Sequence, residues 1–324
     1  MSGVKSVVLA LLIWGIAPIY FKLLKTVTPL EILAHRILWS FILLFVVVLW
    51  GRRFLVYKNM LLDLNKFSWP LLSTFLISSN WFVYIYSILE QRLLESSFGY
   101  FLSPFVNIIL GMIFFREKLN INQRVSVVMT ILAILVQFSG AGNFYNNFPW
   151  ISIYLALSFS FYALVRKKIN VDSMMGLTVE TTILLPITLI YFYFLYHHGA
   201  IYGASYGVSA GTFLGKGQFF STPLISFLLM MSGFVTAIPL MLFIEGTKKL
   251  PLSTVGFYQY ISPTCQFLLA VVAFHEPLAL NKIFSYILIW IALIFFVFDR
   301  RISWTHRVVE IVKVATKGWV ERTR

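Results

Sequence analysis

A charged side chain inside a long apolar run is costly to carry into a lipid core, so it marks a place where chemistry is done. Two stand out. Arg36 lies in EILAHRILWS (31–40), and Glu180 lies in GLTVETTILL (176–185). Arg36 reads as a guanidinium facing the interior of a helix bundle, paired with a carboxylate or with an anionic group on a substrate. The plain alternative is a side chain that snorkels outward to the interface. Its neighbour His35 could carry a proton, since an imidazole in water titrates near neutral pH; equally, it can sit buried and neutral on one hydrogen bond. Glu180 stands between apolar flanks, away from the lysines. It and His35 are the candidates for a protonatable coupling site. Thr28, Pro29 and Glu31 have the spacing of a capping box, with Thr28 as N-cap and Glu31 three residues on. Glu31 is therefore read as helix architecture, with a substrate role as the alternative.

Uncharged polar and aromatic residues inside apolar runs are the next candidates. Asn80, Trp81 and Tyr84 lie in one run, Tyr100, Ser103 and Asn107 in the next, and Tyr258, Gln259 and Tyr260 in a later one. Tyr100, Ser103 and Asn107 fall at i, i+3 and i+7, on one face of a helix. A lipid-facing surface has no use for Asn, so that face is expected to look inward. Pro104 and Pro263 each withdraw a backbone donor and free a carbonyl one turn earlier. All of these are read as cavity-lining candidates; the alternatives are interhelical hydrogen bonds and an interfacial aromatic belt. Catalytic signatures are missing. There is no phosphate-binding Gly-x-x-x-x-Gly-Lys-Ser/Thr loop. His275-Glu276 lacks a second His, and His197-His198 has no further ligands nearby in sequence. The reading therefore assigns no catalytic residue, no metal and no cofactor.

The elements that must position these residues follow from composition. The chain is 59% hydrophobic and only 12% charged, with a mean hydropathy of +0.85. A soluble globule of 324 residues has no interior large enough for that much apolar sequence. Ten apolar runs are long enough to cross a bilayer: 4–24, 30–50, 69–89, 96–115, 122–140, 148–165, 174–196, 222–245, 253–274 and 281–299. They are continuous rather than alternating, so they read as helices and not as barrel strands. The net charge of +14 forms no dense stripe, and nucleic acid is excluded as a partner. Instead the basic residues punctuate the runs. With a cytoplasmic N-terminus, twenty Lys and Arg fall inside and five outside, so both termini are expected in the cytoplasm. The single cysteine, Cys265, reads as packing. Residues 197–221 form a long outer loop. The tail, 300–324, reads as a basic amphipathic helix on the inner leaflet.

The chain also repeats itself. A shift of 159 positions superposes Ser103, Pro104, Glu117 and Asn122 on Ser262, Pro263, Glu276 and Asn281, among nine identities over 36 positions. A second shift, of 145, pairs Trp14 with Phe159, Lys22 with Lys167 and His35 with Glu180. Each half, 4–140 and 148–299, holds five runs. Five is odd, so the second half enters the membrane from the opposite side and the repeats are inverted. Each copy, a Pro-broken apolar segment ending in Glu-x-Leu or Glu-Pro-Leu, resembles the EamA repeat of the drug/metabolite transporter superfamily. WGIAPIYFK (14–22), EILAHRILWS (31–40), FGYFLSPFVNIILGMIF (98–114), LVRKKI (164–169) and STVGFYQYISP (253–263) narrow the resemblance to the RarD group, labelled chloramphenicol-sensitivity proteins.

The expected architecture is thus an all-α polytopic membrane protein, with ten transmembrane helices as two inverted five-helix EamA-type repeats. The resemblance implies a bacterial inner-membrane exporter of a small organic solute. Such a carrier works by alternating access through a cavity near the midplane. Its partners are that small-molecule substrate and membrane lipid, and no oligomeric state follows from the sequence. An intramembrane enzyme and a non-transporting membrane sensor are the alternatives from other classes.

Overall fold

The structure is a computed structural model that describes residues 3–62, 68–115, 121–138, 148–169, 173–202, 217–249 and 258–295. Glu117, the body of the outer loop (203–216), the start of the 253–274 run and the tail at 300–324 lie outside the described residues. Within them the protein is helical: α1 (Gly3–Leu23), α2 (Pro29–Trp50), α3 (Phe54–Leu62), α4 (Ser68–Leu89), α5 (Leu93–Phe115) and α6 (Ile121–Phe138). Then come α7 (Trp150–Ile169), α8 (Ser173–Tyr202), α9 (Pro223–Lys248), α10 (Ile261–Leu268) and α11 (Leu280–Phe295). Only the short α3 lies off the apolar runs.

Five helices, α1, α2, α4, α8 and α9, are long and apolar enough to cross a membrane. The remaining apolar stretches of α6, α7, α10 and α11 are shorter. Exposure tells what surrounds them. On α1, Leu12, Ile16, Ile19 and Leu23 form one exposed stripe, while Val7, Ala10, Leu11 and Phe21 are buried on the other face. An apolar stripe turned outward along an apolar helix is a surface built for lipid.

Two compact units emerge, and they do not follow the sequence halves. Residues 1–107 with 150–277 form one; residues 108–149 with 278–324 form the other. In the first, α1 packs along α9 and α10, α2 along α8 and α9, and α4 along α7. Close crossings are made by small residues, as membrane helices require. A Cβ on Gly233 of α9 would come within 2.5 Å of the Trp39 carbonyl carbon on α2. The two backbones meet there, and Ser40 Oγ donates to Gly233 O. α2 and α8 run antiparallel. His35 meets Phe192 at 4.6 Å near one end, and Val48 clusters with Met175 and Val179 at the other. In the second unit α6 and α11 are also antiparallel, because Ser126 Oγ donates to Ala292 O (2.9 Å) and Asn281 Nδ2 to Gln137 O (3.1 Å).

Helix ends are built from distant parts of the chain. Thr28 caps α2 as its spacing predicts, accepting from Glu31 N at 3.3 Å. The other half of the expected box takes a different partner. Glu31 Oε1 accepts from the backbone N of Gln218, at 2.7 Å, and so ties α2 to the segment before α9. At the start of α5 the backbone amides of Leu93 and Leu94 donate to the two oxygens of Glu276, at 2.7 and 2.9 Å. A carboxylate suits a helix N-terminus because it meets unpaired N–H groups and the positive end of the dipole. Glu276 reaches that position through two local devices. A π-helical turn, Leu269–Ala273, ends α10, and His275 adopts φ 51°.

Candidate functional site

The structure divides the sequence candidates among separate places. One group converges. Arg36 projects from α2 into the first unit with only 7% of its surface exposed. Its Cζ lies 4.3 Å from the centre of the Trp81 ring on α4, and 5.9 Å from that of Phe21 on α1. Tyr20, Tyr84 and Tyr100 are near enough to feel its charge. Their rings interlock edge to face: Phe21 with Tyr84 at 6.2 Å, and Tyr84 with Tyr100 at 5.6 Å. Trp81 and Tyr84 stand three residues apart and so share a face of α4.

Asn80 locks this cage. Its Nδ2 donates to Ser158 Oγ (2.9 Å) and Leu155 O (3.2 Å) on α7, and its Oδ1 accepts from Tyr100 O–H (3.2 Å). With both donors and the acceptor engaged, Asn80 is a positioning residue and not a free ligand group. Arg36 is the opposite case. Among the described residues its Nε and Nη1 are buried without a hydrogen-bond partner, as is Tyr84 O–H. A charge at the centre of a spanning helix costs about 2.5–3.5 kcal/mol on insertion scales, and a desolvated cation–π contact returns about 2 kcal/mol. The aromatic cage therefore tolerates the guanidinium and leaves its N–H groups available.

His35, one residue away, faces elsewhere. Its ring is clamped between Phe192 at 4.6 Å and Phe219 at 4.8 Å, and among the described residues neither ring nitrogen has a partner. Glu180 occupies a third place. Sequence puts it away from the lysines, but the structure brings a different cation to it. Arg166 Nη1 lies 3.5 Å from Glu180 Oε1, Ser73 Oγ donates to the same oxygen at 2.8 Å, and Tyr162 O–H donates to Oε2 at 3.2 Å. Three helices thus converge on one buried carboxylate.

The remaining candidates are dispersed. Ser103 is engaged in helix packing: its Oγ donates to Gly99 O, and its carbonyl accepts from Ser160 Oγ at 3.2 Å. Asn107, on the face expected to look inward, is exposed. Tyr258, Gln259 and Tyr260 are half-buried, and Tyr260 stacks on Phe101 at 6.3 Å. A groove of about 440 Å³ opens between α2, α4 and α8, lined by Leu33, Ile37, Thr74, Ile183 and Thr188. None of the sequence candidates lines it. Among the described residues no cluster of His, Cys, Asp or Glu could hold a metal. Sequence reasoning missed Tyr20 and Phe21, because aromatics near the end of a run read as interfacial. It also missed Ser73 and Tyr162, which carry no signal until Glu180 reaches them.

Residues 1–139 match the EamA-like transporter family. The chain is 38% identical over 306 residues to uncharacterized transporter YojE of Bacillus subtilis, covering 94% of this chain and 95% of that one. It is 38% identical over 298 residues to protein RarD of Escherichia coli, covering 92% and 94%. It is 26% identical over 297 residues to the chloramphenicol-sensitive protein RarD of Pseudomonas aeruginosa, covering 90% and 92%. A crystal structure with a TM-score of 0.54 and 15% identity, covering 90% of this chain and 95% of its own, shares the fold. The chain belongs to the RarD group of EamA-type transporters, a multi-pass membrane protein family.

Proposed function

We propose that the protein carries a small organic solute across the bacterial inner membrane by alternating access. In this reading ten crossings form two inverted five-helix repeats, with both termini in the cytoplasm and the solute site at the Arg36 cage. The observation that carries it is Arg36: a guanidinium held inside the bundle, with buried N–H groups that the described residues leave unpaired.

The antiparallel pairs support the inversion. α2 with α8, and α6 with α11, are each a helix and its own counterpart under the repeat. Two repeats inserted in the same direction would make such pairs parallel. The contacts of α1 support it independently. A Cβ on Gly15 would sit 2.7 Å from Cys265 Cβ and 3.6 Å from Ser262 Cα, and Ser160 Oγ donates to Ser103 O. Shifts of 145 and 159 turn the first contact into the second.

Outward transport rests on the family resemblance. Glu180 and His35 are the coupling residues of this reading: one is a buried acid that a proton can neutralise, the other a buried imidazole with both nitrogens open. The test is solute flux into proteoliposomes containing the purified full chain, with and without a pH gradient. Flux that is lost in Arg36→Ala supports the reading; no flux of any solute class overturns it. Tags on the two ends, probed in intact cells, should both be cytoplasmic. A tag reached from outside removes the ten-crossing count.

A further inference from the structure

The unpaired guanidinium also constrains what the solute is. We infer that the site takes a small organic anion bearing one carboxylate on an apolar or aromatic body, with Arg36 as the anion-binding residue. This rests on the transporter reading above and deepens it.

The argument is by elimination among named groups. Arg stays charged inside a protein. Its charge in the cage is balanced by no acid among the described residues. Glu180 is held by Arg166, Ser73 and Tyr162, and Glu95 by Arg92 at 2.9 Å. Glu276 caps α5 through both oxygens; Glu31 accepts from Gln218 with Oε1, and its Oε2, though it has no partner among the described residues, makes no ion pair with Arg36. Glu245 pairs with Lys249, and Glu90 is exposed at the end of α4. The aromatic faces soften the charge but accept no hydrogen bond from Nε or Nη1. A water molecule would satisfy an N–H and leave the charge. An anion does both, and a guanidinium fits the planar carboxylate through two parallel hydrogen bonds.

The rest of the cage selects the body of the ligand. Tyr84 presents a buried hydroxyl without a partner next to Arg36, and a carboxylate oxygen is a fitting acceptor for it. Phe21, Tyr84 and Tyr100 surround Arg36 with rings, and among the described residues no second cation joins it, so one negative charge is matched and two are not. An amine would meet Arg36 as a like charge.

The test uses the purified full chain in detergent. Its melting temperature is followed as benzoate, phenylacetate, their neutral amides and inorganic phosphate are titrated. The expected result is stabilisation by a carboxylate at concentrations at least ten-fold below those its amide needs. Arg36→Gln should abolish that difference while melting no lower than wild type without ligand. Equal effects of acid and amide, equal stabilisation of Arg36→Gln, stabilisation by phosphate alone, or no response to either carboxylate would each overturn the inference. The two claims fail separately. Flux of a neutral solute with no carboxylate binding leaves the carrier and removes the anion site. Carboxylate binding at Arg36 with no flux of any solute leaves the anion site and removes the carrier.

Discussion

Arg36 and Glu180 each lie seven residues after the first residue of their helices, Pro29 and Ser173, and their surroundings are opposite. Glu180 is matched: a cation, a hydroxyl and a phenol converge on its two oxygens. Arg36 is sheltered by rings that leave its Nε and Nη1 without partners. The difference separates two uses of a buried charge. A satisfied one fastens helices together until a proton neutralises it. An unsatisfied one is kept at a cost to stability, and the return is a binding group.

Substitutions at the two sites should therefore move stability and activity in different directions. The largest effect is expected for Arg36→Met: flux falls by on the order of 100-fold or more, the cost of a lost charged hydrogen-bonding group in a binding site. The same variant should melt no lower than wild type in detergent, since an uncompensated charge has been removed. A marked loss of stability would mean that Arg36 holds the fold. Next in size is Glu180→Leu, expected to destabilise the protein by about 3 kcal/mol because it breaks the ion pair with Arg166 and removes the acceptor that Ser73 and Tyr162 share. The pair Glu180→Leu with Arg166→Met should recover most of that loss, which denaturant unfolding in detergent would measure. If the double variant is no better than the single, the ion pair is not what Glu180 contributes. Asn80→Ala should cost about 1–2 kcal/mol by freeing Ser158 and Tyr100, and it should weaken solute affinity only through the loosened cage. Tyr84→Phe is the smallest case. Its hydroxyl has no partner among the described residues, so thermal stability should be unchanged, and any drop in affinity reports direct contact with the solute.

Much of this contrast was legible in the sequence, and its limits are instructive. Arg36, Asn80, Trp81, Tyr84 and Tyr100 stand out because polar atoms are rare in apolar runs, and the structure brings all five together. Asn107 obeys the same rule and is exposed, since spacing along one helix cannot say which neighbours flank it. Arg166, at the end of a run beside two lysines, is one of the basic residues that punctuate the runs, and nothing in the sequence sets it apart from them. Its role with Glu180 depends on the tight fit of its guanidinium against Gly176 of α8, where a Cβ would lie 1.6 Å from Nη1. Two features had no local signal. Glu31 finds its acceptor role 187 residues away, and the π-turn of Leu269–Ala273 is written in ordinary apolar residues. Helix existence depends on period and composition, which a sequence displays. Partners across such distances depend on the assembled bundle.

The cap on α5 has a consequence for how the molecule is made. The carboxylate that receives the Leu93 amide lies 183 residues further along the chain. At a synthesis rate of about 5–20 residues per second, roughly 10 to 40 s pass before it exists. Until then the first turn of α5 must borrow water or lipid headgroups for its amides. The amino-terminal half therefore leaves the ribosome unfinished, and a fragment cut short of Glu276 should be readily degraded even though most of its apolar helices are already in place.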